Sequence, residues 1–236
     1  MKILALDSSA TVASVALCDG DRLLAEYTLN NGNTHSETIL PMIEDLLSKF
    51  NMTADDVELF AASSGPGSFT GVRIGAATLK GLAFGKNKPC AEISTLEALA
   101  ENLKICQGLV CPVMNARRSQ VYTALFRADG QAITRLMDDS ALSIEELDKM
   151  LSEYNEPIYF CGDGYDITVS ALKQTSYIPV PDRLRHQSAY SVASVAYRQF
   201  SVGNITSDKQ FKVTYLRPSQ AERELNEKNN RKEETK

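Results

Sequence analysis

Three short segments of this chain carry residue types suited to phosphate chemistry. The first is Asp7-Ser8-Ser9-Ala10-Thr11, set between the apolar runs Ile3 to Leu6 and Val12 to Leu17. A hairpin tip of this composition offers one carboxylate, three hydroxyls and several backbone N–H groups. The donors suit a phosphate, and Asp7 has the chemistry to reach a hydrated Mg²⁺. The second is Gly65-Pro66-Gly67-Ser68, which follows the apolar run Leu59 to Ala62. Glycine permits a positive φ, proline fixes its own φ, and Ser68 can accept from a free N–H of the helix that follows. A strand, a glycine turn and a helix N-terminus together suit an anion. The third is Asn115-Ala116-Arg117-Arg118-Ser119-Gln120, which has neither glycine nor carboxylate. Its two guanidinium groups suit a solvated turn, an anionic partner surface, a nucleotide at an interface or tRNA. Each segment taken alone also reads as an ordinary polar turn.

Other reactive residue types are sparse. Gly162-Asp163-Gly164 reads first as the end of a strand and the start of a helix. His35 is followed four residues later by Ile39, and His186 lies in an arginine-rich loop, so no pair of imidazoles shares a helical face. We therefore expect no metal site, and place His35 on the surface near a helix N-terminus. Ser9, Ser63, Ser64 and Ser68 have no evident histidine partner for nucleophilic catalysis. The five cysteines form no CxxC spacing and read as buried, reduced thiols. A net charge of −5 argues against a protein that grips a polyanion alone. One lysine and a short apolar run precede Asp7, and no apolar stretch is long enough for a bilayer, so the expectation is a cytoplasmic protein without a signal peptide or membrane contact.

The elements that must position these residues alternate between strand and helix, so the fold class is α/β. The first part reads β-β-β-α-β-α, with Asp19-Gly20 as a turn. Thr34-His35-Ser36-Glu37 has a capping-box pattern, and Pro41 predicts an irregular first turn in the helix that follows. That helix has an apolar stripe of Ile39, Ile43, Leu46, Leu47 and Phe50, widened by Leu40. The helix after Ser68 has its stripe at Phe69, Val72, Ala76, Leu79 and Ala83, and a nearly bare face at Gly71, Gly75 and Thr78 that lets another backbone or a ligand come close. Arg73 and Lys80 share one side of it. A strand at Pro89 to Ile93 and a helix from Ser94 to about Ile105 complete an N-terminal lobe, residues 1–106. A second hairpin-led unit follows over 107–221. It has strands at Leu109 to Met114, Gln120 to Arg127, Ala132 to Met137, Pro157 to Cys161 and Tyr177 to Val180. Its helices start at Ser143, Tyr165 and Ser188. The echo of one hairpin-led unit in the other predicts a duplicated, two-lobed fold with a cleft. Residues 222–236 are charged and read as a flexible tail.

Asp7-Ser8-Ser9, the segment Ser63 to Gly85, Met114-Asn115-Ala116-Arg117-Arg118-Ser119-Gln120-Val121-Tyr122 and Tyr215-Leu216-Arg217-Pro218-Ser219-Gln220-Ala221-Glu222 together resemble the TsaB (YeaZ) family. The resemblance implies the actin-like, sugar-kinase-like ATPase (ASKHA) fold. It also implies a part in making N6-threonylcarbamoyladenosine in tRNA, as a non-catalytic partner of the related catalytic subunit TsaD, joined by the ATPase TsaE. Peptidase activity is not expected. Many family members have Asp where this chain has Asn115, which further weakens metal-assisted chemistry there. On this reading Asp7, Ser8, Ser9, Thr11, Arg117 and Arg118 are candidate phosphate or nucleotide contacts. Ile39, Ile43, Leu46, Leu47, Phe69, Gly71, Arg73, Gly75, Thr78 and Lys80 are candidate TsaD contacts, with a homodimer formed when TsaD is absent. No tightly bound cofactor is expected, ATP or ADP with Mg²⁺ belongs to the assembled complex, and tRNA is met through that complex. The alternative is a stand-alone ATP-dependent kinase-like enzyme.

Overall fold

The computed structural model describes residues 1–32 and 34–217. Three antiparallel strands, β1 (Lys2–Asp7), β2 (Ala13–Asp19) and β3 (Arg22–Leu29), open the chain. Helix α1 (His35–Ser48) leads to β4 (Leu59–Gly65), parallel to β1, and α2 (Phe69–Ala83) leads to β5 (Pro89–Ser94), parallel to β4. After α3 (Thr95–Glu101) the plan repeats. Strands β6 (Gln107–Asn115), β7 (Gln120–Asp129) and β8 (Ile133–Ser143) are antiparallel neighbours, and α4 (Ile144–Leu151) leads to β9 (Ile158–Cys161), parallel to β6. Then come α5 (Tyr165–Val169), α6 (Ala189–Ser201) and the short β10 (Thr206–Ser207). The sheet orders β10-β5-β4-β1-β2-β3 and β8-β7-β6-β9 make the duplication explicit, and this is the actin-like, sugar-kinase-like architecture.

The period-two alternation of β1 explains why the first sheet is covered on both faces. Leu4 and Leu6 point into a core with Ile39, Ile43, Leu46, Leu47 and Leu79 of α1 and α2. Ile3 and Ala5 point the other way, against Ala189, Val192, Ala193 and Ala196 of α6. Alanines at Ala5, Ala16, Ala61 and Ala91 let α6 lie close to the strands. The second core gathers β6, β7 and β9 with Leu96 and Leu99 of α3 and Leu147 and Leu151 of α4. Helix α3 belongs to both lobes, since its Ala98 lies in the α6 core.

The fold corrects several expectations. The second lobe does not extend over 107–221: α6 covers the first sheet, β10 extends it, and Phe211 is buried in the first core. Tyr177 to Val180 forms no strand, only one bridge between Ile178 and Tyr159. Helix α3 stops at Glu101, and β8 runs on to Ser143. Thr34 makes no side-chain capping bond, whereas Ser68, Ser94 and Ser143 all cap. Helix α1 continues through Pro41. The 222–236 tail and Pro218 to Glu222 lie outside the described residues. The cysteines form no disulfide, and burial pushes the Cys18 and Cys111 thiols up to about 12, out of the thiolate range at neutral pH.

Candidate functional site

Asp7 ends β1, and its side chain turns inward. Its Oδ1 accepts from the Ser9 N–H at 2.8 Å and the Ser9 hydroxyl at 2.6 Å, and its Oδ2 accepts from the Ser63 hydroxyl. Only 1 % of the residue is exposed. Burial pushes its carboxyl above the ordinary range, against the pull of Ser63, Ser9 and the nearby His35. The sequence suggested a carboxylate reaching for hydrated Mg²⁺; in the structure it bonds the Ser9 hydroxyl of the tip and the Ser63 hydroxyl of β4. His35 is half-buried rather than a surface residue. Its Nε2 lies 2.6 Å from the Ala10 carbonyl oxygen, which can only accept, so Nε2 carries the proton.

The tip is clamped to α2. Ser8 donates its hydroxyl to the Gly71 carbonyl at 2.9 Å, and the Ser68 N–H donates to the Ser9 carbonyl at 2.7 Å. A Cβ on Gly71 would stand 2.0 Å from the Ser8 carbonyl oxygen, and one on Gly75 2.5 Å from the Ser8 hydroxyl. The bare helix face does admit another backbone, but it is the chain's own. Gly71 and Gly75 are therefore not free for a partner. Nor are Ile39, Ile43, Leu46 and Leu47, all buried in the first core. Among the small and apolar residues that α1, α2 and the α2 C-cap leave exposed are Leu40 (44 % exposed), Ala77, Gly81 and Phe84 (74 % exposed), alongside polar residues such as Glu37, Glu44 and Asp45. Thr78 and Lys80 are half-buried beside them.

Between the lobes lies a cleft of about 630 Å³. The first lobe contributes Ser9, Ala10, Thr11 and the Gly67 to Thr70 turn; the second contributes Asn115, Arg117, Tyr122 and Asp163. Of the candidate phosphate contacts, Ser9, Thr11 and Arg117 meet here. Asp7 and Ser8 are buried beneath, and Arg118 lines an adjoining cavity that Asn115 and Arg117 also border. Arg117, Arg118 and Ser119 all have left-handed φ, at 63°, 55° and 56°. For non-glycine residues that costs about 1–2 kcal/mol each. The Asn115 side chain supports the turn by accepting from the Arg117 N–H at 2.8 Å. Asp163 accepts from the Asn115 N–H at 3.1 Å. Solvent reaches Asp163 along the cleft, yet the enclosing walls hold its carboxyl above the usual range. The glycine pair around Asp163 does end β9 and start α5; its place on the cleft wall depends on the fold of the second sheet and was not legible from the motif.

A strap formed by the last described residues crosses the rim. Thr214 donates its N–H to the Ser64 carbonyl at 2.7 Å. The Tyr215 ring stacks on Phe69 at 4.8 Å with a 6° interplanar angle, and Arg73 Nε donates to the Tyr215 hydroxyl at 2.6 Å. Leu216 then packs on the second core, and Arg217 lies 6.0 Å from the Tyr122 ring centre. Phe69 and Arg73, expected at a partner surface, thus hold the chain's own strap. Among the described residues no group of three or more His, Cys, Asp or Glu could hold a metal ion, and no helix is long and apolar enough to cross a membrane.

Comparison with known proteins agrees with this architecture. Residues 22–220 match the family model described as TsaD, tRNA N6-adenosine threonylcarbamoyltransferase. The tRNA threonylcarbamoyladenosine biosynthesis protein TsaB of Bacillus subtilis (strain 168) is 35% identical over 162 residues, 69% of this chain and 71% of that protein. TsaB of Escherichia coli (strain K12) is 28% identical over 228 residues, covering 95% of this chain and 98% of its own. A crystal structure of a Pseudomonas aeruginosa protein, described by its similarity to the peptidase YeaZ, superposes with a TM-score of 0.78 at 26% identity over 92% of this chain and 99% of that one.

Proposed function

On the premise that this chain belongs to the TsaB (YeaZ) family of tRNA threonylcarbamoyladenosine biosynthesis proteins, we propose that it serves that modification as a non-catalytic subunit, holding TsaD in its active arrangement and helping to recruit TsaE. The observation that carries this reading is Asp7. A kinase of this architecture needs acidic and glycine-rich loops from both lobes. Here the first-lobe carboxylate is hydrogen-bonded by Ser9 and Ser63, and the matching second-lobe turn, Asn115 to Gln120, has neither glycine nor carboxylate and presents Arg117 to the cleft. The outer face of α1 and α2 suits a helical partner: Ala77 and Gly81 allow close approach, and Leu40 and Phe84 supply apolar anchors. The same face would pair two copies when TsaD is absent. ATP or ADP with Mg²⁺ belongs to the assembled complex, TsaD takes most of the grip on tRNA, and the working compartment is the cytoplasm.

The test is co-purification with the TsaD of the same organism, followed by tRNA modification with TsaE, ATP, bicarbonate and threonine, with and without this chain. The expected result is a tight heterodimer and loss of modification on omission. Leu40→Asp is expected to release TsaD without unfolding the chain. Ile43→Asp, by contrast, would strike the core. Undiminished modification on omission would sink the proposal. A stand-alone ATP-dependent enzyme is the second reading, favoured by Asp163 and Thr11 facing one cleft. A thermal shift and turnover with Mg²⁺–ATP would support it.

A further inference from the structure

We infer that the second lobe carries a nucleotide-binding groove that adjoins the interlobe cleft, sharing Asn115 and Arg117 with it. It takes a base-sized apolar group on its apolar side chains and a phosphate on its cations. The groove encloses about 770 Å³ between the β6–β7 turn, the start of α4 and the loop after α5. That volume is within the range of about 300–1,000 Å³ usual for small-ligand sites. Ile144, Ile167 and Leu172 line it with apolar surface, while Arg117, Arg118 and Lys173 stand at its edge.

What sets this groove apart is that three cations line one cavity. Among the described residues, Arg117, Arg118 and Lys173 have no ion-pair partner, and all three are exposed. Both walls that bear them are fixed in advance. The arginine turn is held by the Asn115 side chain and by the Ile144 N–H, which donates to the Ser119 carbonyl at 3.2 Å. The opposite wall hangs on the buried Asp148, whose carboxylate accepts the N–H groups of Lys173 at 2.8 Å, Gln174 at 3.1 Å and Thr175 at 2.9 Å. Anchored walls reduce the ordering cost of binding. Glu145 and the hydrogen-bonded Asp148 are the opposing charges that line the groove, so the grip on any one phosphate is moderate.

A cavity lined by both apolar side chains and cations matches a nucleotide unit, either a free mononucleotide or one residue of a single-stranded RNA. The RNA source rests on the tRNA-modification reading above; the chemistry of the groove does not. The test uses the full chain at low salt with two fluorescent probes: a labelled single-stranded oligoadenylate and AMP bearing a methylanthraniloyl group. The expected result is binding that Arg118→Ala combined with Lys173→Ala weakens about tenfold, with a shallower salt dependence, and that Glu145→Gln strengthens. Circular dichroism and thermal midpoints of these surface variants should match the parent. Binding of the oligomer alone assigns the RNA source; equal binding of labelled AMP assigns the free nucleotide. Failure of both probes to bind, or equal binding by the double variant, would overturn the inference. Should omission of the chain leave tRNA modification intact while the groove variants still lose probe binding, the groove stands and the scaffold reading falls.

Discussion

Asp7→Asn keeps the shape of the side chain and removes its charge, so it isolates what that charge does inside the tip. The folded-state pKa of Asp7 lies above its unfolded value. The folded chain therefore binds its proton more tightly, and this residue favours folding most at acid pH. The contribution declines as pH rises from the ordinary carboxylate range through the raised value. Urea midpoints from about pH 4 to about pH 8 should show the wild type losing ground to Asp7→Asn as pH rises. Gly71→Ala tests the clamp: its Cβ would meet the Ser8 carbonyl at 2.0 Å, and a loss of about 2 kcal/mol in urea unfolding is expected. The residue types of the tip and the bareness of the helix face were legible in the sequence. Their orientation was not, because Asp7 is turned inward by Ser63, 56 residues further along.

Three helices in this chain begin with the same pattern, a hydroxyl residue followed three positions later by Glu, and Ser94 caps α3 by accepting from the Glu97 N–H. Ser143 and Glu146 form the reciprocal capping box, and Ser143→Ala should cost about 1 kcal/mol in thermal or urea unfolding. Thr34 makes no such bond, since the first turn of α1 is fastened instead by His35 to the Ala10 carbonyl, and Thr34→Ala should leave stability almost unchanged. Local signals thus located all three helix starts, but not which of them would be capped. Amphipathic stripes likewise gave most of the buried faces of α1 and α2, but Phe50 and Leu40, counted in the α1 stripe, are exposed. They could not show that the bare face of α2 is closed, because Ser8 occupies the glycines that looked open.

For the whole molecule, the duplication was readable in the hairpin-led units, while the return of the chain to its first lobe was not. Period and propensity show that 189–201 is a helix; which sheet it covers depends on alanines in β1, β2, β4 and β5, far back in the chain. The strap completes that return and joins both lobes. Tyr215→Ala should remove a stacked pair worth about 0.5–1.5 kcal/mol. Amide exchange should then quicken around Phe69 and around Tyr122 of β7 together, because one segment touches both. The same return bears on synthesis. A ribosome adding about 5–20 residues per second delivers every strand of the second lobe before α6 and β10 emerge. The lobe that begins the chain therefore finishes folding last. Until α6 arrives, the apolar face of Ile3, Ala5 and Ala16 stays uncovered on the nascent chain, where another molecule must shield it or another nascent chain can stick to it.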